Sequence, residues 1–420
     1  MSNLLKTLHA YEIEVLKLLI GESTVKELAS ESNLQEIQIK RAVQWLSNKG
    51  LIEANLINEK KIILGKNGLL YKEKSLPEIR FLKALSDDFN VISVISPKGK
   101  LESYYEGTTH RYAMVEKSSN LMMLVAAKKL AKIIDENSVD VLHLHWTKDI
   151  PIAVLAKKLS KSHPKLVQTR NMNMTRFKDD FYHRLLYKNI EMMLPVTKRV
   201  AEQIERYIPE NIRPRVEVLY MGTPVPELLS EKERESFRRK QQISDTFGVG
   251  IVGRIEESKG QHLLIEVLSK LEGVSAYFVG HEMQEGYMET LKAQAKSLGI
   301  AERVHFLGFM NNPAHFMQAC DALVLATPCE TFGLVVIEAM AVETAMIATK
   351  ACGPLEIIED GVSGMLFESM DAESLQEKVT FLKEDAVRRK KIAKAGKVRV
   401  ENTFLDRTQF QKLSELLRSL

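Results

Sequence analysis

Along most of this 420-residue chain, a strand-like pattern of apolar residues alternates with a helix-like pattern. From Asn90 onward, short runs rich in Val, Ile and Leu alternate with stretches that have apolar residues at helical spacing, such as 121–136 and 152–161. This alternation is typical of a doubly wound parallel sheet. The predicted strands are 91–96, 139–145, 165–169, 192–196 and 216–220, followed by 247–252, 274–280, 304–307, 322–326 and 345–349.

The first 88 residues follow a different pattern. After an amphipathic helix, capping boxes at Thr24-x-x-Glu27 and Asn33-x-x-Glu36 begin two more, and two β-like runs, 51–57 and 60–64, follow. Three helices and a two-stranded wing predict a winged helix-turn-helix over residues 1–85. The sequences AVQWLSNKGL at 42–51 and SLPE at 75–78 resemble the N-terminal winged helix of the archaeal/eukaryotic phenylalanyl-tRNA synthetase α subunit. Because the first 88 residues have 13 basic and 12 acidic side chains, a net charge of only +1, we expect no nucleic-acid partner.

Glu330 and Glu338 stand eight positions apart, one ahead of a helix predicted over 333–342 and the other inside it. In a fully helical span they would lie about 12 Å apart along the axis. The first backbone N–H groups of a helix lack intrahelical partners and favour anions. Two carboxylates on either side of such a helix start suit an extended ligand with a hydroxyl-bearing ring at each end and phosphates between them. A nucleotide-sugar is such a ligand.

The same segment resembles the E-x7-E motif of the retaining glycosyltransferase family 4, whose members have the GT-B fold. The resemblance covers residues 89–420 and implies an α/β fold of two Rossmann-like domains facing across a cleft, here preceded by the winged helix. Other motifs agree in order and spacing: GIVGRI at 250–255, SKG at 258–260, VHFLG at 304–308, GPLEII at 353–358 and DGVSG at 360–364.

The resemblance also predicts domain boundaries. Residues 86–226 correspond to the acceptor domain and 227–400 to the nucleotide-sugar domain, while 401–420 form a C-terminal helix that in the family often crosses back to the first Rossmann domain. The segment 221–226 breaks the strand pattern and is predicted to be the interdomain linker, and the tail 386–420 is predicted to form two helical stretches. Family members begin with a strand and a glycine loop, but 91–96 matches their second strand, so the first βα unit is missing or replaced. Residues 61–68 either replace this unit or form the wing, and the wing is the simpler interpretation.

The resemblance implies roles for the donor-side residues. Arg254 and Lys259 neutralise the leaving diphosphate, Glu330 contacts the transferred sugar and Glu338 holds the ribose hydroxyls. We predict that Glu330, Arg254 and Lys259 are catalytic, with neither a metal ligand nor a cofactor in the site. The alternative is an exposed basic pair and a helix that simply favours Glu near its start. The other predicted donor-binding residues are Gly253, Thr331, Phe332, Gly333 and Leu334.

Four residues are predicted on the acceptor side. His143 and His145 end one predicted strand, and Arg170 and Asn171 follow the next; strand carboxyl ends line the ligand crevice of open α/β sheets. The alternatives are core histidines and surface charges. Many family members have a histidine near the position of Asn171, so this difference concerns the acceptor's identity. In retaining members of the family the reaction need not require a protein base, because the departing phosphate can take the acceptor's proton.

Charge and cysteine content add expectations about partners and location. The net charge is +4, and residues 89–226 carry 22 basic against 14 acidic side chains; this suits either an anionic acceptor, an anionic membrane surface or a solvated basic face. Cys320, Cys329 and Cys352 lack metal-site spacing, and we interpret them as reduced thiols. No apolar run reaches the roughly 20 residues that span a bilayer. We expect a cytoplasmic protein, with peripheral contact at the inner membrane face as an option.

The predicted function is metal-independent, retaining hexosyl or other glycosyl transfer from a nucleotide-sugar to a glycan, lipid-linked or other acceptor, as in cell-envelope polysaccharide synthesis. One alternative is a nucleic-acid-binding winged-helix regulator that senses sugar nucleotides. Another is a fusion that binds the donor without turnover, because its first βα unit is atypical.

Overall fold

The structure is a computed structural model. It describes residues 120–310 and 312–420, together with 89–95, 111–114, 53–54, 62–63 and the single positions 15, 28, 39, 42, 43 and 46. These residues belong to two compact units. The first unit comprises the chain up to Val139 together with Leu155–His163, and the second comprises Asp140–Val154 and Pro164–Leu420.

Strands and helices alternate along most of the second unit. The described strands are β1 Glu53–Ala54, β2 Ile62–Ile63, β3 Ile92–Ile95, β4 Arg111–Met114, β5 Val141–Leu144, β6 Lys165–Arg170, β7 Met192–Pro195, β8 Arg215–Val216, β9 Phe247–Val252, β10 Val274–Val279, β11 Val304–Gly308, β12 Ala322–Leu325, β13 Ala345–Thr349 and β14 Met365–Phe367. The described α-helices are α1 Asn120–Glu136, α2 Ile150–Leu159, α3 Phe181–Tyr187, α4 Lys198–Tyr207, α5 Glu231–Lys240, α6 Gln261–Ser269, α7 Tyr287–Ser297, α8 Ala314–Ala319, α9 Leu334–Ala341, α10 Pro354–Ile357, α11 Ala372–Glu384, α12 Ala386–Thr403 and α13 Asp406–Arg418.

The first sheet of the second unit is parallel and has the order β5-β6-β7-β8. Met192, Met193 and Leu194 of β7 are fully buried, as expected for a parallel strand covered on both faces. The strand β8 is shorter than the predicted 216–220. Its extension still follows β7, since the N–H groups of Glu217 and Leu219 donate to backbone carbonyls of that strand.

The second sheet is also parallel, with the order β11-β10-β9-β12-β13-β14. Helix side chains cover both faces, for example Leu264 and Val379 on one and Phe316 and Ile337 on the other. The strand order reverses between β9 and β12, and such a switch point opens a ligand crevice at the carboxyl ends of the strands. Gly250 of β9 is required for packing, because a Cβ there would lie 2.6 Å from Leu323 Cδ2.

The two parallel sheets confirm the predicted α/β fold class. Strands β9 and β13 have the predicted bounds, and the other predicted strands except β8 differ by at most two residues at either end. The helices α1, α2 and α9 agree equally well, and the tail forms two helices as predicted. The short strands β4 and β14 were not predicted.

In the first unit, β3 pairs in parallel with β4, and α1 buries Ala127 and Ile134. Near the N-terminus β1 and β2 pair antiparallel, as expected for the two strands of the predicted wing. The six single positions before residue 47 are helical and buried. The remainder of residues 1–85, and with it the winged helix as a domain, lies outside the described residues and stays a prediction.

The predicted linker 221–226 pairs with the C-terminal tail. Thr223 N donates to Phe404 O at 2.9 Å, and Asp406 N donates to Thr223 O at 3.2 Å. The last helix, α13, then contacts the end of the first sheet, where Lys412 Nζ donates to Val218 O at 2.9 Å. The linker and the tail therefore connect the two sheets by hydrogen bonds as well as by the chain.

Candidate active site

The loop between β12 and α9 carries Glu330 and ends at Gly333, whose φ of 104° lies in the left-handed region that favours glycine. The helix α9 begins at Leu334 without a side-chain cap, whereas Thr197 caps α4 and Ser230 caps α5. The first N–H groups of α9 thus lie at the carboxyl edge of the second sheet without a capping side chain. This arrangement suits an anion.

Lys259 and Glu330, both predicted from the sequence, contact each other. Lys259 Nζ donates to Glu330 Oε2 at 2.9 Å, with the two side chains 18% and 28% exposed. The neighbouring Gly260 makes this possible: its φ is 71°, and a Cβ there would lie 2.5 Å from Ala326 O. The loop after β9 therefore approaches the end of β12 closely, which brings the ammonium group to the carboxylate.

Arg254 lies at the same edge but is more exposed, and its guanidinium pairs with Glu256 at 3.0 Å. Glu256 is a contact of Arg254 that the sequence motifs did not indicate. The backbone of Arg254 is fixed, because the buried Gln261 donates from Nε2 to its carbonyl at 2.8 Å. Gly253 precedes it, and the loop after β10 packs so closely here that a Cβ at Gly280 would lie 1.8 Å from Gly253 O.

The remaining donor-side residues lie on or next to α9. Glu338 is half-buried on its second turn, between the buried Ile337 and Ala339. Phe332 is a core side chain whose ring lies 6.0 Å from that of Phe404, so only its backbone is available to a ligand. Thr331 is half-buried, and Leu334 is exposed.

On the acceptor side, His143 and His145 lie at the end of β5 with their ring centroids 4.4 Å apart. His143 Nε2 and Thr169 Oγ1 of β6 are 2.7 Å apart. Burial and the neighbouring His145 hold the pKa of His143 well below its usual value, so the imidazole is neutral at physiological pH. His145 and the following Trp146 are exposed, so they are the side chains of this strand end that a ligand can reach.

Arg170 is 7% exposed and its guanidinium is engaged by the protein. It donates to Met172 O at 2.8 Å, to Asn173 O at 2.8 Å and to Thr147 Oγ1 at 2.7 Å. These bonds hold the loops after β5 and β6 together. The structure therefore gives Arg170 a loop-shaping position, while Asn171 on the same loop is exposed.

The interpretation of all three cysteines as reduced thiols was wrong for two of them. Cys329 and Cys352 form a disulfide with their Cα atoms 5.4 Å apart, and Cys320 is free and buried. The bond links the loops after β12 and β13, which are parallel neighbours with their carboxyl ends at one edge. Cys329 and Cys352 each follow a predicted strand by a few residues, and this common offset is the sequence pattern that indicates the pairing.

Within the described residues, no group of three or more His, Cys, Asp or Glu side chains is arranged to hold a metal ion. None of the helices in the described part of the chain is both long enough and apolar enough to cross a bilayer.

Family models match both sheets of the second unit. Residues 233–399 match the model described as glycosyl transferases group 1, and residues 69–203 match the model described as glycosyl transferase 4-like. The first range contains Arg254, Lys259, Glu330 and Glu338, and the second contains His143.

Individual relatives agree with these models. The capsular polysaccharide biosynthesis glycosyltransferase CapM of Staphylococcus aureus is 23% identical over 367 residues, which cover 83% of this chain and 95% of the relative. The N-acetylgalactosamine-N,N'-diacetylbacillosaminyl-diphospho-undecaprenol 4-alpha-N-acetylgalactosaminyltransferase of Campylobacter jejuni is 27% identical over 241 residues, 57% of this chain and 63% of the relative. The homologues are thus glycosyltransferases of polysaccharide and glycoconjugate synthesis.

A solved structure shows the fold. The crystal structure of Anabaena HepE in complex with UDP matches with a TM-score of 0.73 at 22% identity, covering 83% of this chain and 97% of that protein. The two Rossmann-like domains of the GT-B fold are confirmed by this match.

Proposed function

The chain carries two glycosyltransferase family regions on a GT-B fold, and from this premise we propose that it transfers a sugar, with retention of anomeric configuration, from a nucleotide-sugar to a glycan or lipid-linked acceptor. The observation that carries the proposal is the Lys259–Glu330 ion pair, which lies in the same loop region as the uncapped start of α9. Cation, helix start and carboxylate together fit a diphosphate joined to a sugar.

In this proposal the donor diphosphate lies against the first N–H groups of α9, with Arg254 and Lys259 as its counter-charges. Negative charge builds on the leaving phosphate as the glycosidic bond breaks, so these groups stabilise the transition state more than the ground state. Glu330 binds hydroxyls of the sugar, and Glu338 binds those of the ribose. No metal ion and no cofactor are needed in this scheme, because the charges that neutralise the phosphate come from the protein.

The proposed reaction balances without a protein base. The bond between the anomeric carbon and the phosphate oxygen breaks, and its electron pair stays on the phosphate. The acceptor oxygen forms the new bond on the same face, and its proton passes to the departing phosphate oxygen. The exposed side chains of His145 and Asn171 then serve as polar contacts for the acceptor.

UDP-sugars are the donors to test first, because HepE, which has the same fold, has been crystallised with UDP and with UDP-glucose. We expect UDP to bind in calorimetry and Lys259→Met to weaken binding about tenfold or more, as charge-assisted hydrogen bonds are lost. Glu330→Gln should lower turnover of the accepted UDP-, GDP- or ADP-sugar by about 100-fold. Glu368→Gln is the matched control, since that carboxylate forms a surface ion pair with Lys350 at 2.8 Å. Normal turnover by Glu330→Gln would contradict the proposal.

We also propose peripheral contact with an anionic membrane. It is supported by exposed apolar side chains in the segments after β5 and β6 and at the start of α3, namely Trp146, Met172, Phe177, Phe181 and Tyr182, and by the exposed Arg176 and Lys188 between β6 and β7. Aromatic and basic side chains together are typical of surfaces that lie in the headgroup region.

The protein should float with phosphatidylglycerol-containing vesicles and not with pure phosphatidylcholine. Phe181→Ser/Tyr182→Ser should abolish flotation, whereas Val387→Ser, which changes a side chain 79% exposed on α12, should not; equal flotation of all three proteins would refute this contact.

A further inference from the structure

Glu356 lies on the short helix α10, which follows β13 of the second sheet, and it caps helix α4, which follows β7 of the first sheet. Its Oε2 accepts from Lys198 N at 2.8 Å and its Oε1 from Arg199 N at 3.0 Å. The next N–H, of Val200, donates to Thr197 Oγ1 at 3.2 Å, and that of Ala201 donates to Thr197 O at 3.1 Å. The first N–H groups of α4, which a helix otherwise leaves without partners, therefore all have an acceptor, and two of them depend on a carboxylate about 160 positions away in the chain.

The position of Glu356 is itself fixed from two sides. Tyr220, in the segment that follows the first sheet, donates from its hydroxyl to Glu356 Oε2 at 3.2 Å. Burial and the adjacent carboxylate raise the pKa of Tyr220 to about 12, so its hydroxyl stays protonated and remains a donor. Arg399 of α12 donates from Nη2 to Glu356 O at 3.1 Å and from Nε to Ile357 O. The carboxylate is thus held in place toward α4 by groups outside its own short helix.

The segment that carries Glu356 is also attached to the donor-side loop. Gly353 N donates to Glu330 O at 2.9 Å, and Cys352 is disulfide-bonded to Cys329. A side chain at Gly353 is excluded, because a Cβ there would lie 2.2 Å from Phe332 O. Residues 352–356 therefore form a continuous path of covalent and hydrogen bonds from Glu330 to the start of α4.

We propose that Glu356 is a positioning residue that couples occupation of the donor loop to the apposition of the two sheets. Its carboxylate makes the charge-assisted bonds that hold α4 against the second sheet, and its backbone moves with the loop that binds the sugar. The inference rests on the proposed function for the identity of the ligand, but the bonds at α4 exist without it. Separation of the two sheets requires both bonds to Lys198 and Arg199 to break.

Hydrogen exchange measured on the full chain tests the capping part of this proposal. In the ligand-free protein, Glu356→Ala should speed exchange at the start of α4 at least tenfold, and Glu356→Gln, which keeps the shape and loses the charge, should have a smaller effect. Glu359→Gln is the matched control, because its carboxylate is 62% exposed and lies 4.0 Å from Arg399. A circular-dichroism spectrum and melting temperature near those of the wild type show that the variants fold. Unchanged exchange in both Glu356 variants would overturn the proposal.

Addition of UDP tests the coupling. UDP should slow exchange both in the 329–333 loop and at the start of α4 in the wild-type protein and in Glu359→Gln. In Glu356→Ala the protection should persist in the loop and disappear from α4, a separation that a merely destabilised variant would not give. If UDP binds to the wild type and protects the loop but not α4, the coupling is wrong and the proposed function stands. If UDP does not bind to the wild type, the proposed donor is wrong, and the coupling falls with it.

Discussion

Lys259 meets Glu330 because one glycine lets two loops approach each other. Gly260 has a left-handed backbone, and its missing side chain leaves room for Ala326 O at the end of β12. The ion pair is partly buried, so it is less screened than a surface pair and has a defined geometry before a ligand arrives. The sequence motif identified both charged residues, but not their contact, because that contact depends on the spacing between β9 and β12.

At the residue scale we predict that Gly260→Ala is more harmful than Gly299→Ala. Gly299 has nearly the same φ, 69° against 71°, but its missing Cβ would meet nothing within 4 Å. Gly299→Ala should therefore lower the free energy of unfolding by about 1–2 kcal/mol, only because alanine disfavours the left-handed backbone. Gly260→Ala should lower it by about 1–3 kcal/mol more, because the new side chain would overlap Ala326. Urea unfolding measures both losses, and UDP calorimetry should show weaker binding only for Gly260→Ala. Equal losses in the two variants would contradict the packing argument.

At the scale of elements, the strands were predictable and the connections between their ends were not. β9 and β13 could be delimited because buried parallel strands are continuous apolar runs bounded by polar or glycine residues. β14 is only three residues long, and β4 begins with Arg111 and contains no run of Val, Ile or Leu, so neither stands out as a strand in the sequence. The Cys329–Cys352 bond depends on β12 and β13 being neighbours, and strand order is not written in the local sequence.

This disulfide should stabilise the loops around Glu330. It closes a loop with a sequence separation of 23, for which the chain-entropy model gives about 3 kcal/mol. Cys329→Ser/Cys352→Ser should therefore unfold at lower urea concentration than the wild type. Reductant should lower the wild-type midpoint to that of the double variant, and the double variant serves as the control because reductant should leave it unchanged. If reductant shifts both proteins equally, the stabilisation comes from elsewhere.

At the scale of the whole molecule, the fold class followed from the sequence because it is set by periodicity. Contiguous motifs also placed Lys259 and Glu330 in one predicted site, and the structure brings these two side chains into contact. The acceptor side followed less well. Arg170 looked available in the sequence, yet it is buried and engaged by Thr147 and two carbonyl groups. Whether a charged side chain is exposed depends on which loops meet around it. The same limit applies to the tail, whose helices were predicted without their contacts to β8 and to the linker.

The tail contacts predict that α13 unfolds together with the second sheet. Leu413 of α13 is 1% exposed, and Leu413→Ala should cost about 2–5 kcal/mol.

Cys320, in the core of the second sheet, provides a reporter, because it is 4% exposed and burial raises the pKa of its thiol, so it is unreactive while folded. In a urea series without reductant, the midpoint for labelling of Cys320 should fall along with the circular-dichroism midpoint. Val387→Ala on the exposed face of α12 should change the free energy of unfolding by no more than about 0.5 kcal/mol, so it should leave both midpoints nearly unchanged. If Leu413→Ala causes an early loss of helix signal while the midpoint for Cys320 stays in place, the tail unfolds on its own, and the hydrogen bonds at Thr223 and Lys412 do not make it part of the cooperative unit.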